Sequence, residues 1–474
     1  MIILNVLHKA VLFFAALLVT AWPCMGQDGF IRRQVVFLAD SIGNRYPASG
    51  GDRLAQDHIA RYFDSCGMES REQAFVIVEK VWSDGSLQLV KDQEIIDFDH
   101  GTGFSVSSRS ASDTLTSEYV LVRGNLPDSL RHLMRDKVVI CLQDEDNKPR
   151  ITSIQDIADS GARAVIYVNP PGLKIKPLVS KGNRNPYPFR IPVLHINYDL
   201  FPVFLPQAIK DCFEDIVYEV PSTYKIRIAT TRHEKTLSSA NIIGIKKGSS
   251  KKTVIIGAHY DTLAPDPDSG KPRTGANDNA SGVATLLALA KKMSCVHTNH
   301  TILFVAFGAE EKGCLGSMDF VSRMPFQKED VTEMINLDML GRMNQNILYY
   351  KQFNNTQINP ADIKPTGLVL TDYDYGLSDH SSFADAGIPA TYFHTGEDPM
   401  MHTSSDTSDR LNYQGMESIL DFVSEYVMSL DSAPRKALRT DSGEGRSRRM
   451  SCRGSGGGRR ACQDRNRPSG PPGP

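Results

Sequence analysis

"ILFVAFGAEEKGCLGS", residues 302–317, decides how the chain is read. Ile302, Leu303, Phe304, Val305 and Phe307 form a short apolar run of the kind that fills the core of a sheet. Two adjacent carboxylates, Glu310 and Glu311, follow at once, then Gly313 and Gly316. Like charges side by side at the end of a buried strand repel each other and resist desolvation. A divalent cation that neutralises one of them removes the conflict and leaves the other free to act as a base.

The same order, strand and then helix, recurs on both sides of this stretch. From Asn241 onward, "NIIGIKK" and "TVIIGAHYD" read as strands and "ASGVATLLALAKKM" as a helix. After "TILFVAFGAEE" come a helix in "LGSMDFVSRM" and strands in "VTEMINLDM" and "NILYYK". "SDHSSFADAG" reads as a short helix, "IPATYFH" as a strand and "YQGMESILDFVSEYVMSL" as the closing helix. Such alternation predicts an α/β fold: a mixed, mostly parallel central sheet with helices on both faces. Upstream, residues 29–67 read as helical, with Leu54, Ile59, Tyr62 and Phe63 on one face of "DRLAQDHIARYFDSCG". Between about 75 and 230 the chain is β-rich. "FVIVEKVWSDGSLQLV", "EYVLVRG", "DKVVICL", "ARAVIYVN" and "IPVLHINY" read as short strands, with one helix near 153–160.

With 474 residues, 41% hydrophobic and 23% charged, the chain reads as an ordinary globular protein of two or three domains. A net charge of −2 gives the whole chain no strong pull toward nucleic acid. From Arg435 to Pro474 eleven basic residues stand against three acidic ones, in a stretch with almost no apolar side chains. Such a tail cannot bury enough surface to offset its ordering entropy and reads as disordered. At the other end Lys9, the apolar run 10–22 and Gly26 form the pattern of a secretory leader cleaved near Gly26–Gln27. The run is too short to favour a spanning helix, so no stable membrane span is expected after cleavage, and the protein is expected outside the cytoplasm. Eight cysteines are scattered without a C-x-x-C pair, which points neither to a disulfide framework nor to a zinc finger. Asn279-Ala-Ser would be a glycosylation acceptor in a eukaryotic secretory pathway. Its place among the candidate ligands favours a compartment without such glycosylation, such as a bacterial exterior.

In parallel sheets covered by helices, sites lie outside the carboxyl ends of the strands. His259 and Asp261 follow "TVIIGA", Glu310 and Glu311 follow "TILFVAFGA", and Asp338 follows "MINL". His402 follows "ATYFHTGEDPMM", and Asp278 lies in "GANDNASG", just ahead of a helix. Acids and imidazoles thus collect at one end of one sheet. Imidazole nitrogen and carboxylate oxygen are zinc ligands. Two zinc ions about 3.5–4 Å apart can share a carboxylate and a water. The glycines of "GANDNASG" lack the Lys-Ser/Thr that follows a phosphate-cradling loop.

"GAHYDT", "GANDNASGVA", "FGAEEKGCLGS", "NLDMLGR" and "HTSSDT" together resemble the motifs of the zinc aminopeptidase family. That family includes secreted bacterial leucyl aminopeptidases and, more distantly, glutamate carboxypeptidase II. The resemblance covers roughly residues 240–430. It implies that Asp278 bridges two zinc ions, His259 and Asp338 completing one site and Glu311 and His402 the other. Glu310 would be the general base. Asp261 would orient the His259 ring, and Asp406 would do the same for His402. "DKVVICLQDEDNKPRITSIQDIADSGARAVIYVNPPG" resembles the protease-associated domain that such peptidases carry as an insert. The expected organisation is a leader over 1–26, peptidase segments over 27–100 and 231–431, the insert over 101–230 and the basic tail over 432–474.

The implied reaction is removal of residues from peptides with a free N-terminus, by a water shared between the ions and deprotonated by Glu310. Two other readings of this fold stand beside it: a single-zinc glutaminyl cyclase and a binding ectodomain without catalysis. "GANDNASG" and "HTSSDT" are aminopeptidase-like, and a binding relative would lack ligands or the base. His195, His233, His297, His300 and His394 carry no motif and read as structural. For His380 the expected setting is the start of a helix capped through Ser378 or Asp379.

Overall fold

The structure is a computed structural model that describes residues 29–432, apart from 92–93, 124–127, 143–153, 174, 176–179, 182–187, 207–216 and 364–366. The expected leader at 1–26 and the basic tail beyond Ser432 lie outside the described residues, as does part of the stretch that carries the insert resemblance.

Helices α1 (Phe30–Val36) and α2 (Gly50–Ser65) precede β1 (Glu69–Lys91). Then come β2 (Glu94–Phe98), β3 (Phe104–Val106), β4 (Asp113–Ser117), β5 (Tyr119–Arg123), β6 (Val138–Leu142), α3 (Ile154–Asp159) and β7 (Ala164–Val168). β8 (Ser180–Lys181), β9 (Val193–Ile196), β10 (Val217–Glu219) and β11 (Tyr224–Lys246) follow. The last part runs β12 (Thr253–His259), α4 (Ser281–Ser294), β13 (Thr301–Phe307), α5 (Leu315–Ser322) and β14 (Val331–Leu337). It closes with β15 (Ile347–Phe353), β16 (Val369–Asp372), α6 (His380–Asp385), β17 (Ala390–His394) and α7 (Tyr413–Ser432).

The main sheet has the order β16-β15-β17-β14-β12-β13-β11-β1-β2. Its centre, β13-β12-β14-β17, is parallel. β15 joins β17 antiparallel, and β11 joins β13 antiparallel. β12 and β14 are buried at every position. Strands reading as continuous apolar runs need cover on both faces, and they have it. One face packs on α1, α2, α4 and α7 through Ile59, Phe63, Leu286, Leu287 and Phe422. The other packs on α5 and α6 through Phe320 and Phe383. The mixed α/β architecture read from the alternation is therefore present.

A second sheet, β10-β5-β6-β7-β9-β3, has its own apolar clusters. β1 and β11, each of 23 residues, pair antiparallel from the main sheet outward. At their far ends Leu87, Leu89, Ile226 and Ile228 join the core of the second sheet. The expectation of a short strand at "FVIVEKVWSDGSLQLV" is corrected here: it is the middle of β1. Asp84-Gly85 is not a turn, because Gly85 lies opposite Thr230 in the ladder. A Cβ at Gly85 would stand 2.1 Å from the Ala229 carbonyl oxygen, so glycine serves close backbone approach.

The face predicted for α2 is also corrected in part. Ser49 caps the helix, its hydroxyl accepting from the Asp52 amide, and Ala55, Ile59 and Phe63 are buried at helical spacing. Leu54 lies a residue off that stripe and is exposed.

Candidate metal centre

The parallel strands β12, β13, β14 and β17 present their carboxyl ends on one side of the sheet, and the chain turns sharply there. Ala309, Met339 and His402 have φ near 60°, the left-handed region that side chains with a Cβ seldom adopt. Each such residue costs of the order of 1–3 kcal/mol and is kept where surrounding structure enforces it. Ala309 precedes Glu310, Met339 follows Asp338, and His402 is itself a predicted ligand. These three left-handed residues therefore adjoin, or are, side chains of the candidate centre.

All five predicted ligands converge. His259 Nε2 lies 3.2 Å from Asp278 Oδ1 and 3.4 Å from Asp338 Oδ1. His402 Nε2 lies 3.1 Å from Asp278 Oδ2 and 3.2 Å from Glu311 Oε2. The result is two three-residue sets, His259–Asp278–Asp338 and Asp278–Glu311–His402, with Asp278 common to both. In each set the ligating atoms lie within 4.8 Å of one another. Glu310 stands beside them, Oε2 4.0 Å from His259 Nε2. A solvent-open depression of about 200 Å³ reaches this place, lined by Thr262, Leu263, Arg273, Asp278, Glu311 and His402.

Hydrogen bonds hold this arrangement from behind. Asp261 is fully buried and accepts from the amides of Glu310 (2.9 Å) and Glu311 (3.2 Å). Its Oδ1 is 3.6 Å from His259 Nδ1, too long for a hydrogen bond. It lies beside the ring without a hydrogen bond to it, and its bonds instead fix the turn that carries both glutamates. Asp406 does not reach the His402 ring through any of its hydrogen bonds. It accepts from the amides of Asn277 and Asp278 and from Arg342, and so steadies the Asp278 loop. The expected role of Asp406 is corrected accordingly.

Several residues that the motif reading gives no part in holding the ligands do so here. Ser378 donates to Asp338 Oδ2 at 2.8 Å and accepts from Asn336. Asn279 is fully buried, takes the amides of Gly282 and Met339, and donates to the Leu337 carbonyl. An Asn so engaged is no glycan acceptor in the folded chain. Cys314 donates its thiol to Glu310 Oε1 at 3.5 Å. The capping expected before α6 is absent: Asp379 makes no side-chain capping bond, and Ser378 is turned to Asp338. His380 is buried between Tyr392 (4.5 Å) and Phe353 (4.9 Å) and is pushed down to about 3 by burial, which keeps it neutral.

Charge at the centre is strongly coupled. Burial raises Glu310 far above the usual carboxylate range. Burial, with Asp278 beside it, raises Glu311 to about 7. Contacts with Asp278 and Glu311 raise His402 to about 11. His259 is held well above the ordinary imidazole value because Asp338 and Glu310 outweigh its burial. Asp278 is held low, its contacts with the two histidines outweighing its own burial. Without a cation, the carboxylates draw protons onto the histidines. Two oxygen-rich sets that each include an imidazole offer the donor types zinc takes. Asp338 Oδ1 is buried with no hydrogen-bond partner and faces the first set, an orphaned acceptor of the kind a cation satisfies.

Residues 241–427 match the model of peptidase family M28. The chain is 30% identical to aminopeptidase YwaD of Bacillus subtilis (strain 168) over 46% of its own length and 49% of that protein. It is 28% identical to a protein described as a probable leucine aminopeptidase of Arthroderma otae, over 40% of this chain and 57% of that one. The chain thus spans about half the length of the curated relatives it matches. Among solved structures, the zinc aminopeptidase BSAP from Bacillus subtilis aligns over 86% of this chain and 96% of its own, at 22% identity and a TM-score of 0.49. Strand ends, ligand sets and family match fall within one segment: it is residues 241–427, which carry all five candidate ligands, that match peptidase family M28.

Proposed function

We propose that the protein is an exported zinc aminopeptidase that removes residues from the free N-terminus of peptides, with two zinc ions per chain. The observation that supports this reading is the division of the Asp278 carboxylate between two three-residue sets of metal-type donors. One zinc would be held by His259, Asp278 and Asp338, the other by Asp278, Glu311 and His402. A single-zinc cyclase would not need both sets, and a binding ectodomain would not need Glu310 beside them.

Zinc, when bound, supplies Lewis acidity toward the scissile carbonyl and acidifies water. The chain's own residues do the rest. Glu310 takes a proton from the attacking water and returns it to the departing amine, one proton in and one out. Burial favours the protonated form of Glu310, which suits the second half of that cycle. Asp261 keeps the Glu310 and Glu311 backbones in register, and Ser378 orients Asp338. Tyr375 donates its hydroxyl to Met401 Sδ at 3.9 Å, one residue before His402, and stacks its ring on His394.

Residues 101–230 are read as a protease-associated insert between peptidase segments 27–100 and 231–431, with a cleaved leader at 1–26. Among the described residues no helix is long and apolar enough to cross a membrane. The direct test strips metal with a chelator and returns zinc in steps of one and two equivalents while following hydrolysis of leucine anilide. Full activity only at two equivalents fits the proposal, and activity that persists without zinc sinks it.

A further inference from the structure

The two chain segments that carry His259 and Asp278 are joined by the connection 260–275, and both its feet are fastened to a dipeptide far away in sequence. Arg45 is completely buried. Its Nε donates to the Tyr260 carbonyl at 2.7 Å, Nη1 to Thr274 at 2.6 Å, and Nη2 to Gly275 at 2.9 Å. Two further bonds from Nη1 tie it to its own segment, at Leu38 and Gly43. Asn44 repeats the pattern one residue earlier. Its Nδ2 donates to Leu263 at 2.7 Å and to Arg273 at 3.2 Å. The Arg45 amide and Asn44 Nδ2 share the Thr262 hydroxyl.

Each foot leads directly to a ligand. Tyr260 stands between His259 and Asp261. Gly275, at φ 54°, is three residues before Asp278, and a Cβ there would lie 2.2 Å from the Asp278 carbonyl oxygen. A guanidinium is suited to this task because its donors form a rigid planar fork, whereas an ammonium is a compact point charge. The choice of partners is unusual. Every side-chain acceptor of Arg45 is a backbone carbonyl, and among the described residues it forms no ion pair with a carboxylate. A buried cation without a paired anion is costly to keep. The carboxylates that sustain its charge against burial are Asp261, Asp406, Asp278 and Glu311, which are two ligands and the two acids that fix the ligand loops. Burial lowers Arg45 to about 10, and these acids hold it from falling further, so a guanidinium cation stands behind the cluster of acids. Neither residue lies in the segment that matches the family.

We propose that Asn44 and Arg45 are positioning residues of the metal centre: by stapling Tyr260–Leu263 to Arg273–Gly275 they set the separation of His259 from Asp278. The inference rests on the metal reading above. Its test is zinc affinity by competition with a chromophoric chelator, on wild type, Arg45→Lys and Asn44→Ala, with melting temperatures measured zinc-loaded and zinc-stripped. Arg45→Lys keeps the charge and loses the fork. It should weaken zinc binding by about 10–100-fold, and Asn44→Ala by about tenfold, the usual scale for partners behind a ligand. The gap between loaded and stripped melting temperatures should narrow with the affinity. A merely structural role would lower both melting temperatures together and leave zinc affinity unchanged. Affinities within about twofold of wild type in both variants overturn the proposal. If Arg45→Lys does not fold, Asn44→Ala alone decides, since its side chain is only partly buried. A wild type that binds no zinc overturns the metal reading itself, which is a separate outcome.

Discussion

Asp278 Oδ2 lies 3.1 Å from His402 Nε2, while the other oxygen of the same carboxylate is 3.2 Å from His259. One side chain thus joins two ligand sets that arrive from different strand ends. Asp278→Ala should remove both zinc ions, whereas Asp338→Ala and His402→Ala should each remove one. Native mass spectrometry of zinc-loaded variants counts them. Loss of a single ion from Asp278→Ala would mean that the two sets are independent.

Glu310 is in neither set, although it is adjacent to Glu311. Glu310→Gln should retain the full zinc content and lose roughly 10²–10⁴ in turnover, the scale of general acid–base catalysis. The comparison is steady-state kinetics against metal content. Near-normal turnover in a loaded variant would remove Glu310 from the mechanism.

Zinc must displace protons to bind. His402 is raised to about 11 by Asp278 and Glu311, and His259 is raised well above the usual value by its acidic neighbours. Both imidazoles are therefore charged in the zinc-stripped protein near neutrality. Zinc affinity should rise with pH, about tenfold per unit for each proton displaced, between about pH 6 and 8. Chelator competition at several pH values measures the slope, and a flat profile would contradict these protonation states.

Away from the centre, Glu333 is fully buried on β14. It accepts hydroxyl bonds from Thr391 and Tyr426 at 2.6 Å each, while Oε2 has no partner. Burial raises it from 4.5 to about 7. The folded state then binds this proton more tightly than the unfolded chain does. The contribution to stability is full below 4.5 and is lost as pH rises through about 7. Glu333→Gln should match wild type in acid and melt a few degrees higher at alkaline pH. Equal pH dependence in thermal melts of the two proteins would assign the titration elsewhere.

The central sheet was legible because its strands are buried on both faces and therefore read as unbroken apolar runs ending in polar residues. That His259, Asp278, Glu311, Asp338 and His402 would converge was legible for the same reason: in such a sheet whatever follows each strand lands at one end. What escaped are bonds between side chains and distant backbone amides. Asp406 is a plain surface-type acid in sequence, and its partners at Asn277 and Asp278 are 128–129 residues away. The Asp261 bonds to Glu310 and Glu311 and the Arg45 bonds to Thr274 and Gly275 have no local pattern either. Ser378 offered the nearest signal, since it adjoins an acid and a histidine at the start of a short helix. The length of β1 was hidden by Gly85, which reads as a turn residue unless the facing strand is known.

The account turns on hydrolysis at a free N-terminus. Zinc-loaded protein should be given a panel of amino-acid anilides and the same compounds N-acetylated. Cleavage confined to the free-amine set is the predicted result, and it would also rank the side chains accepted at the cleaved position. Equal cleavage of the acetylated set, or none of either set by protein with both zinc ions bound, would contradict an aminopeptidase.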